Sequence, residues 1–238
     1  MSDLRLAFLN ASHQDEYTRR NFRRELPVEL VEYDVTGGEL PESCAFDGCV
    51  VSGSRASVYW DEAWLPPLKA YVHQVIEAEL PVLGVCFGHQ LLADVLGGTV
   101  EDMGEYEIGY REIERTADAP LFADMSERFT AFTTHSDTVT ELPAGAELLA
   151  ENEYGIHGFR VDDVYGVQFH PEYDIETAEA ITRAKDELAE RRKQRVLAGI
   201  TEEAYAEAQT ATRVFENFVE RVVATRTQDA SIRPLSPA

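Results

Sequence analysis

The amino-acid sequence predicts an α/β protein whose central sheet is open and mostly parallel, with helices on both faces. Apolar runs of strand length alternate with amphipathic helical segments over the first hundred residues, the pattern of parallel strands joined by right-handed crossovers. The run at residues 80–85 is continuously apolar, as in a strand covered on both faces. Short strand-like segments follow from residue 99, and charged helical segments close the chain.

The first half of the chain contains four predicted strands and three predicted helices. The helices are predicted where apolar side chains recur at helical spacing and end at Pro or Gly. The strands are short apolar runs bounded by turn residues. In chain order, the segments are strand 4–9, helix 14–26, strand 28–35, strand 46–52, helix 63–79, strand 80–85 and helix 90–96.

The second half adds short strands spaced like hairpins, which predict a small antiparallel addition to the sheet. A C-terminal helical extension and a polar tail follow. The predicted strands are 108–113, 129–132, 147–150, 157–161 and 164–169, and the predicted helices are 175–190 and 202–224. We therefore expect a main domain over residues 1–180, a helical extension packed on it over 181–225 and a disordered tail over 226–238.

Composition argues against several classes of function. The chain of 238 residues has a net charge of −23, which disfavours nucleic acid as a partner because phosphate binding needs clustered Lys and Arg. No apolar run is long enough to cross a membrane, and the N-terminal residues lack the form of a signal peptide. We expect a cytoplasmic protein without a membrane partner.

The three cysteines, Cys44, Cys49 and Cys86, form neither a disulfide framework nor a paired metal-ligand spacing. Cys44 and Cys49 are interpreted as packed or loop residues. No phosphate-cradling GxxxxGK[ST] loop occurs in the chain. The sequence thus predicts no metal and no cofactor, and it does not indicate an oligomeric state.

One cysteine lies between two glycines where a predicted strand meets a predicted helix. Residues 84–90 read GVCFGHQ, with Cys86 between Gly84 and Gly88. Glycines around such a turn permit a strained backbone that points the central side chain outward at the carboxyl end of the sheet, as in the nucleophile elbow of hydrolases. We therefore predict that Cys86 is an exposed nucleophile.

A histidine and a glutamate two residues apart follow the last predicted strand. In an extended segment, His170 and Glu172 point to the same side. The carboxylate could then orient the imidazole, whose other nitrogen would activate the Cys86 thiol. Taken singly, a free cysteine is more often a small buried apolar residue and such a histidine an ordinary loop residue. The pair is a candidate whose geometry decides its role.

The two motifs together resemble those of a known family. GVCFGHQ (84–90) and VQFHPE (167–172) are similar to the signature motifs of class I glutamine amidotransferases, the Cys-His-Glu group that includes the glutaminase part of GMP synthase. VVSGS (50–54) corresponds to the oxyanion-hole turn of the family, and THSDTV (134–139) resembles a segment of its GMP-synthase-like branch. The resemblance covers about residues 4–175, and the predicted architecture is flavodoxin-like.

The resemblance implies the hydrolysis of glutamine through a γ-glutamyl thioester on Cys86, with His170 as acid and base and Glu172 as its partner. The backbone N–H groups of Phe87 and of the turn at Gly53 and Ser54 would form the oxyanion hole.

The resemblance also implies contacts to the bound substrate. The residues that would contact glutamine are Gln90, His135 and Ser136.

Glutamine amidotransferases normally pass ammonia to a synthetase. Nothing after Glu172 has the length or pattern of an ATP-using domain, so the resemblance implies a separate synthetase as the acceptor. Two alternatives stay open. The same triad could hydrolyse another γ-glutamyl compound, as γ-glutamyl hydrolases do, or the chain could be a non-catalytic binding or regulatory module.

The acidic composition generates a prediction about salt. Acidic residues number 44 against 21 Lys and Arg, of which only Lys69, Lys185 and Lys193 are lysines. A halophile-like surface of this kind is stabilised when salt screens its self-repulsion. We expect the thermal unfolding midpoint to rise from low to molar KCl, measured by circular dichroism. A midpoint that does not rise would exclude this interpretation.

Overall fold

The computed structural model describes residues 4–232, and five of its strands run parallel. They are β1 (Arg5–Asn10), β2 (Glu29–Asp34), β3 (Gly48–Val51), β4 (Val82–Val85) and β9 (Val164–Val167). In space they follow the order β2-β1-β3-β4-β9. The predicted parallel centre is therefore confirmed, with β9 in the fifth place of a flavodoxin-like order.

The antiparallel strands continue the same sheet, in the order β9-β8-β7-β5-β6. They are β5 (Thr99–Arg115), β6 (Arg128–Glu141), β7 (Glu147–Asn152) and β8 (Gly155–Val161). The junction of β5 and β7 is short, because only Glu114 and Arg115 of β5 pair with β7. Strands β5 and β6 are much longer than predicted, since an antiparallel ribbon with one face in solvent tolerates polar residues that obscure a strand in the sequence.

Seven α-helices lie among the described residues. They are α1 (Glu16–Glu25), α2 (Leu65–Glu77), α3 (Phe87–Val95), α4 (Ile175–Arg183), α5 (Glu190–Gly199), α6 (Glu202–Ala208) and α7 (Arg213–Ile232). Within residues 4–232, no helix is both long and apolar enough to cross a membrane.

The C-terminal helices differ from the prediction. The segment predicted as one helix over 175–190 ends at Arg183, and the segment 202–224 is divided into α6, a 3₁₀ turn at Gln209–Thr212 and α7. The expected domain boundary at residue 180 falls inside α4. Helix α7 continues to Ile232, so the tail predicted to be disordered from residue 226 is helical up to there, and residues 233–238 lie outside the described residues.

Helices cover both faces of the parallel strands because successive strand residues point to opposite sides. Leu6 and Phe8 of β1 belong to one apolar cluster, and Ala7 and Leu9 belong to another. Helices α1 and α7 cover the first face, whereas α2 and α3 cover the second. The predicted C-terminal extension therefore contributes α7 to the main core.

The turn between β4 and α3 depends on two glycines. A Cβ on Gly84 would lie 2.4 Å from the backbone C and O of Gly88, and one on Gly88 would lie 2.5 Å from the backbone O of Val51 in β3. Such distances leave no room for any side chain. The backbones of β3, β4 and α3 can approach this closely only because both positions are glycine.

We predict that Gly84→Ala lowers the free energy of unfolding by about 2–3 kcal/mol, because the added methyl group must displace backbone atoms. Gly199→Ala is the matched control, since a Cβ there has nothing within 4 Å. The control should leave stability unchanged or slightly raised, because alanine favours the helix. Urea denaturation measures both variants, and equal stabilities would contradict the packing argument.

Candidate active site

The carboxyl ends of three neighbouring strands bring the predicted site together. Strands β3, β4 and β9 are adjacent and parallel, and they lead into Gly53, Cys86 and His170 respectively. A Cβ on Gly53 would lie 3.0 Å from Cε1 of His170 and 3.7 Å from Cβ of Cys86. Residues far apart in the sequence thus meet at one edge of the sheet, where open α/β sheets bind their ligands.

Cys86 adopts the strained backbone of a nucleophile elbow. Its φ is +53° and its ψ is −104°, a sparsely populated conformation that costs a non-glycine residue free energy and is found mainly at functional sites. The Cys86 N–H donates to the carbonyl of Val167 at 2.8 Å, and the Cys86 carbonyl accepts from the N–H of Gln90 at 3.1 Å. The residue is also the N-cap of α3, where the helix dipole favours negative charge on the sulfur.

The side chain of Cys86 is buried, contrary to the prediction of an exposed thiol. Its relative exposure is 5%, and the sulfur lies 3.9 Å from the carbonyl oxygen of Thr134 in β6. The prediction was based only on the glycine-flanked turn that carries Cys86. Strand β6 belongs to the antiparallel ribbon and packs beside the sulfur, a long-range contact that the turn itself does not reveal.

His170 and Glu172 are paired in the predicted manner. The Nδ1 atom of His170 lies 2.8 Å from Oε1 of Glu172, and both side chains are buried. The backbone N–H of His170 donates to the backbone carbonyl of Phe132 at 2.8 Å, which places the residue against β6. The ring of Tyr173 stacks on the imidazole with centroids 4.1 Å apart. The imidazole is thus held on several sides, and its Nδ1 is committed to the carboxylate.

The electrostatics of the site favour a protonated imidazole. Burial alone lowers the pKa of His170, but the charges of Glu172 and Cys86, together with hydrogen bonds to both side chains, raise it to about 10. A carboxylate on one side and a sulfur on the other stabilise the imidazolium. The arrangement can support a thiolate and imidazolium pair, the reactive form of a cysteine nucleophile.

The turn after β3 lies beside this pair. The hydroxyl of Ser52 accepts from the N–H of Ala11 at 2.9 Å and donates to the carbonyl of Gly53 at 3.0 Å. Since a peptide group is planar and trans, holding the Gly53 carbonyl also sets the direction of the Ser54 N–H. As the first residue of α3, Phe87 has an N–H that the helix leaves without a partner. The turn that carries Gly53 and Ser54 and the start of α3 at Phe87, where the oxyanion donors were predicted, both adjoin Cys86.

Helix α1 anchors the segment that carries Glu172. Arg24 donates to the backbone carbonyl of Glu172 at 2.6 Å, and its guanidinium also binds Asp174 at 2.9 Å. Arg20 binds the same carboxylate oxygen at 2.6 Å. The other oxygen of Asp174 caps α4 by accepting from the N–H of Thr177 at 2.9 Å. Two arginines and a helix cap thus fix the chain directly after the proposed triad.

Two of the residues predicted to contact substrate are engaged within the protein. The Nε2 of Gln90 donates to the Asp137 carbonyl at 2.9 Å and to Oε1 of Gln168 at 3.0 Å. His135 is buried, with Nδ1 2.9 Å from the Asp137 carbonyl and Nε2 2.6 Å from Oε2 of Glu107. Neither ring nitrogen of His135 is left for a ligand. The third predicted residue, Ser136, is half-buried beside it.

Glu107 and His157 complete a polar cluster that sequence reasoning missed. Glu107 is fully buried, and its Oε2 lies 3.1 Å from Nε2 of His157 as well as 2.6 Å from Nε2 of His135. In a chain with 44 acidic residues, one buried glutamate carries no distinguishing signal. Its position directly before the buried residues Ile108 and Gly109 was the only hint available.

The cluster offers one oxygen and two nitrogens within 4.8 Å of one another, a set that could hold a metal ion. However, the 2.6 Å between Glu107 and His135 is a hydrogen-bond distance, whereas two ligands of one tetrahedral zinc lie about 3.3 Å apart. The guanidinium of Arg111, 3.9 Å from Glu107 Oε1, adds positive charge beside the carboxylate. As it stands, the group is a hydrogen-bonded pair of Glu107 and His135, with Nε2 of His157 3.1 Å from the same carboxylate oxygen.

Comparison with known proteins shows the family of this chain. The family model described as glutamine amidotransferase class-I matches residues 10–186. GMP synthase [glutamine-hydrolyzing] from Thermomicrobium roseum is 41% identical over 145 residues, which are 60% of this chain and 26% of that protein. The enzyme of the same name from an Azoarcus species is 34% identical over 183 residues, 71% of this chain and 34% of that protein. The chain thus matches only about a quarter to a third of the length of these relatives.

Solved structures of similar fold match nearly the whole chain. A glutamine amidotransferase from Thermotoga maritima superposes with a TM-score of 0.78 at 26% identity, covering 94% of this chain and 99% of that one. A protein from Thermoplasma acidophilum, provisionally named as one of the subunits of a GMP synthase, has a TM-score of 0.69 at 20% identity and covers 97% and 99%. The second likeness shows the fold alone.

The anchor at Asp174 generates a pH-dependent prediction. Burial raises the pKa of Asp174, but hydrogen bonds from Thr177 and the charges of Arg20 and Arg24 outweigh burial and lower it. Because the folded pKa lies below the unfolded one, this stabilisation is complete above the unfolded pKa and is lost as pH falls through the folded pKa. We expect Asp174→Asn to cost about 1 kcal/mol near neutral pH and nothing in strong acid.

Urea denaturation of wild type and Asp174→Asn over a range of pH measures this difference, because asparagine keeps the cap but does not titrate. Asp118→Asn is the control, since that carboxylate is fully exposed and contacts only Arg115. The control should match wild type at every pH. A stability difference for Asp174→Asn that stays constant with pH would contradict the assignment.

Proposed function

The chain belongs to the class I glutamine amidotransferase family, and we propose that it hydrolyses the side-chain amide of glutamine through Cys86, His170 and Glu172. One observation carries the proposal. A cysteine with a φ of +53° at an elbow lies against a buried histidine whose Nδ1 is 2.8 Å from a carboxylate. This combination matches the requirements of cysteine nucleophilic catalysis.

In the first half of the proposed reaction, the Cys86 thiolate attacks the side-chain amide carbon of glutamine. A carbon–sulfur bond forms, and the carbonyl electrons move to the oxygen. Backbone N–H groups of Phe87 and Ser54 would donate to this oxyanion, and each such donor is worth about 3 kcal/mol of transition-state stabilisation in other enzymes. The His170 imidazolium then protonates the amide nitrogen. The carbon–nitrogen bond breaks, ammonia departs, and a γ-glutamyl thioester remains on Cys86.

In the second half, water replaces ammonia at the same position. The neutral imidazole of His170 takes a proton from the water as its oxygen attacks the thioester carbon. The carbon–sulfur bond breaks, glutamate is released, and sulfur returns as thiolate beside the imidazolium. Glutamine and water are thereby converted to glutamate and ammonia with no other reactant. Glu172 would stay ionised and stabilise the imidazolium at each stage.

The proposed recipient of the ammonia is a separate synthetase. Two relatives of this chain are named GMP synthase [glutamine-hydrolyzing], and one structural neighbour is named as a subunit of such an enzyme. The relative exposures of Cys86 and His170 are 5% and 4%, and we propose that the surrounding segments move when glutamine binds.

We predict that the purified chain releases glutamate and ammonia from glutamine and that Cys86→Ala abolishes both. Glu172→Gln should lower kcat about 10³–10⁴-fold, because it removes the charge that stabilises the imidazolium. Cys44→Ala is the control, since Cys44 lies outside the site, and it should retain wild-type activity. Assays are run in molar KCl with a panel of γ-glutamyl peptides alongside glutamine.

The outcomes separate the competing functions. Turnover of a γ-glutamyl peptide but not of glutamine would identify a γ-glutamyl hydrolase instead. Labelling of Cys86 by 6-diazo-5-oxo-norleucine without turnover would support a glutaminase that awaits its synthetase. Neither labelling nor turnover would indicate a non-catalytic module, and glutamine hydrolysis that survives Cys86→Ala would exclude the mechanism.

A further inference from the structure

Strand β5 contains a bulge next to the part of β6 that contacts Cys86. The register between the two strands shifts between Asp102 and Glu107 of β5. Residues 103–106 therefore lie opposite a single residue of β6 and take no part in the regular ladder. A bulge of this kind redirects side chains and is common beside active sites. Tyr106 is the last residue of the bulge, where β5 returns to regular pairing.

The side chain of Tyr106 reaches the residue that lies beside the sulfur. Its hydroxyl is 3.4 Å from Oγ1 of Thr134, and the backbone carbonyl of the same Thr134 is 3.9 Å from Sγ of Cys86. Thr134 is buried, whereas Tyr106 is half-buried. Tyr106 thus lies at the rim of the proposed site, with part of its side chain open to a ligand.

The same face of the ribbon also reaches the imidazole of the proposed triad. Tyr106 and Tyr173 pack against an apolar cluster that contains Phe132 and is separate from the two cores of the sheet. The ring of Tyr173 stacks on His170, with centroids 4.1 Å apart. This cluster therefore provides one ring that stacks on the imidazole and another whose hydroxyl reaches the residue beside Cys86.

The helical extension holds Tyr106 by its backbone and by its ring. Helix α5 follows residues 10–186, which match the family model. Its Arg192 donates a hydrogen bond to the backbone carbonyl of Tyr106, and its Val196 packs against the same apolar cluster. Nζ of Lys185 lies 4.8 Å from the centroid of the Tyr106 ring, within the range of a cation–π contact. The position of Tyr106 thus depends on residues that follow the catalytic segment.

The amino-acid end of glutamine needs polar partners in the site. Two of the residues predicted to contact the substrate, Gln90 and His135, are engaged within the protein. The hydroxyl of Tyr106 can both donate and accept. Its 3.4 Å contact with Thr134 is longer than a strong bond between hydroxyl groups. A bound ligand can therefore take over this hydroxyl at little cost.

We propose that Tyr106 is a substrate-binding residue that contacts the amino-acid end of glutamine, and that Arg192 is the positioning residue that holds it. This role rests on the proposed function, because it requires that the amide of glutamine binds at Cys86. Part of the pocket is then completed by α5, which lies outside the region that the family model matches.

Tyr106→Phe tests the contact, because it removes the hydroxyl and keeps the ring. We expect KM for glutamine to rise about tenfold, as for the loss of a hydrogen bond to a charged group. The value of kcat should not change, because the contact is made to a part of the substrate that does not react. Tyr110→Phe is the matched control, since Tyr110 lies on the same strand and its buried hydroxyl has no partner within residues 4–232. It should retain the wild-type KM.

Arg192→Ala tests the positioning role. We expect it to raise KM, and we expect the double variant with Tyr106→Phe to show little further increase, because both changes affect the same contact. Arg195→Ala is the control, since Arg195 is exposed on the same helix and its loss changes the net charge equally. Increases in KM that multiply in the double variant would overturn the positioning role.

Labelling of Cys86 distinguishes a failure of this role from a failure of the proposed function. The reagent 6-diazo-5-oxo-norleucine has the amino-acid end of glutamine, whereas iodoacetamide lacks it. We expect Tyr106→Phe to slow labelling by the first reagent about tenfold and to leave labelling by iodoacetamide unchanged. If wild type is labelled without turnover, this rate replaces KM in every comparison.

The contrary outcomes are distinct. Glutamine turnover or labelling in wild type, with the same KM and labelling rate in Tyr106→Phe, would overturn the role of Tyr106 alone. Equal slowing of both reagents would also overturn it, because the change would then act on the sulfur itself. A wild-type protein that is labelled by iodoacetamide only, or by neither reagent, and does not hydrolyse glutamine would overturn the proposed function and this role together.

Discussion

The close approach of three backbones at the elbow is the constraint on which the site depends. Gly84 and Gly88 let α3 begin against β3 and β4 with no side chain between them. This contact holds Cys86 in its strained backbone conformation with a positive φ, at the end of the strand that lies between β3 and β9. Because the neighbours of β4 lead to Gly53 and His170, the order of the strands determines which groups surround the sulfur.

Two carboxylate–histidine pairs are buried near the site, whereas most of the 44 acidic residues of the chain are not buried. Glu172 faces His170 on the side of the sulfur, and Glu107 faces His135 on the far side of Asp137. In water the remaining acidic residues are solvated and screened, so each contributes little. The buried pair of Glu172 and His170 lies in a low dielectric, where the charge of Glu172 contributes to the raised pKa of its neighbour.

Local patterns made part of this site predictable. The glycines around Cys86 and the spacing of His170 and Glu172 describe geometry within a few residues, and the sequence therefore indicated the elbow and the carboxylate–histidine pair. The burial of Cys86 and the engagement of His135 depend on strand β6 and on Glu107, which are distant in the chain. Polar strands such as β5 and β6 lack clear alternation, so neither their length nor their contacts followed from the pattern. Helix α7 was likewise predicted, but its place in the main core was not.

The burial of the sulfur also bears on its chemical durability. Oxidation of a cysteine by peroxide proceeds fastest when the sulfur is both ionised and accessible. Cys86 is 5% exposed and lies beside β6, so an oxidant from solution has little direct access to the sulfur. A sulfur covered in this way is oxidised to sulfenic and sulfinic acid more slowly than an exposed thiolate, so burial adds chemical durability to a residue held at a strained turn.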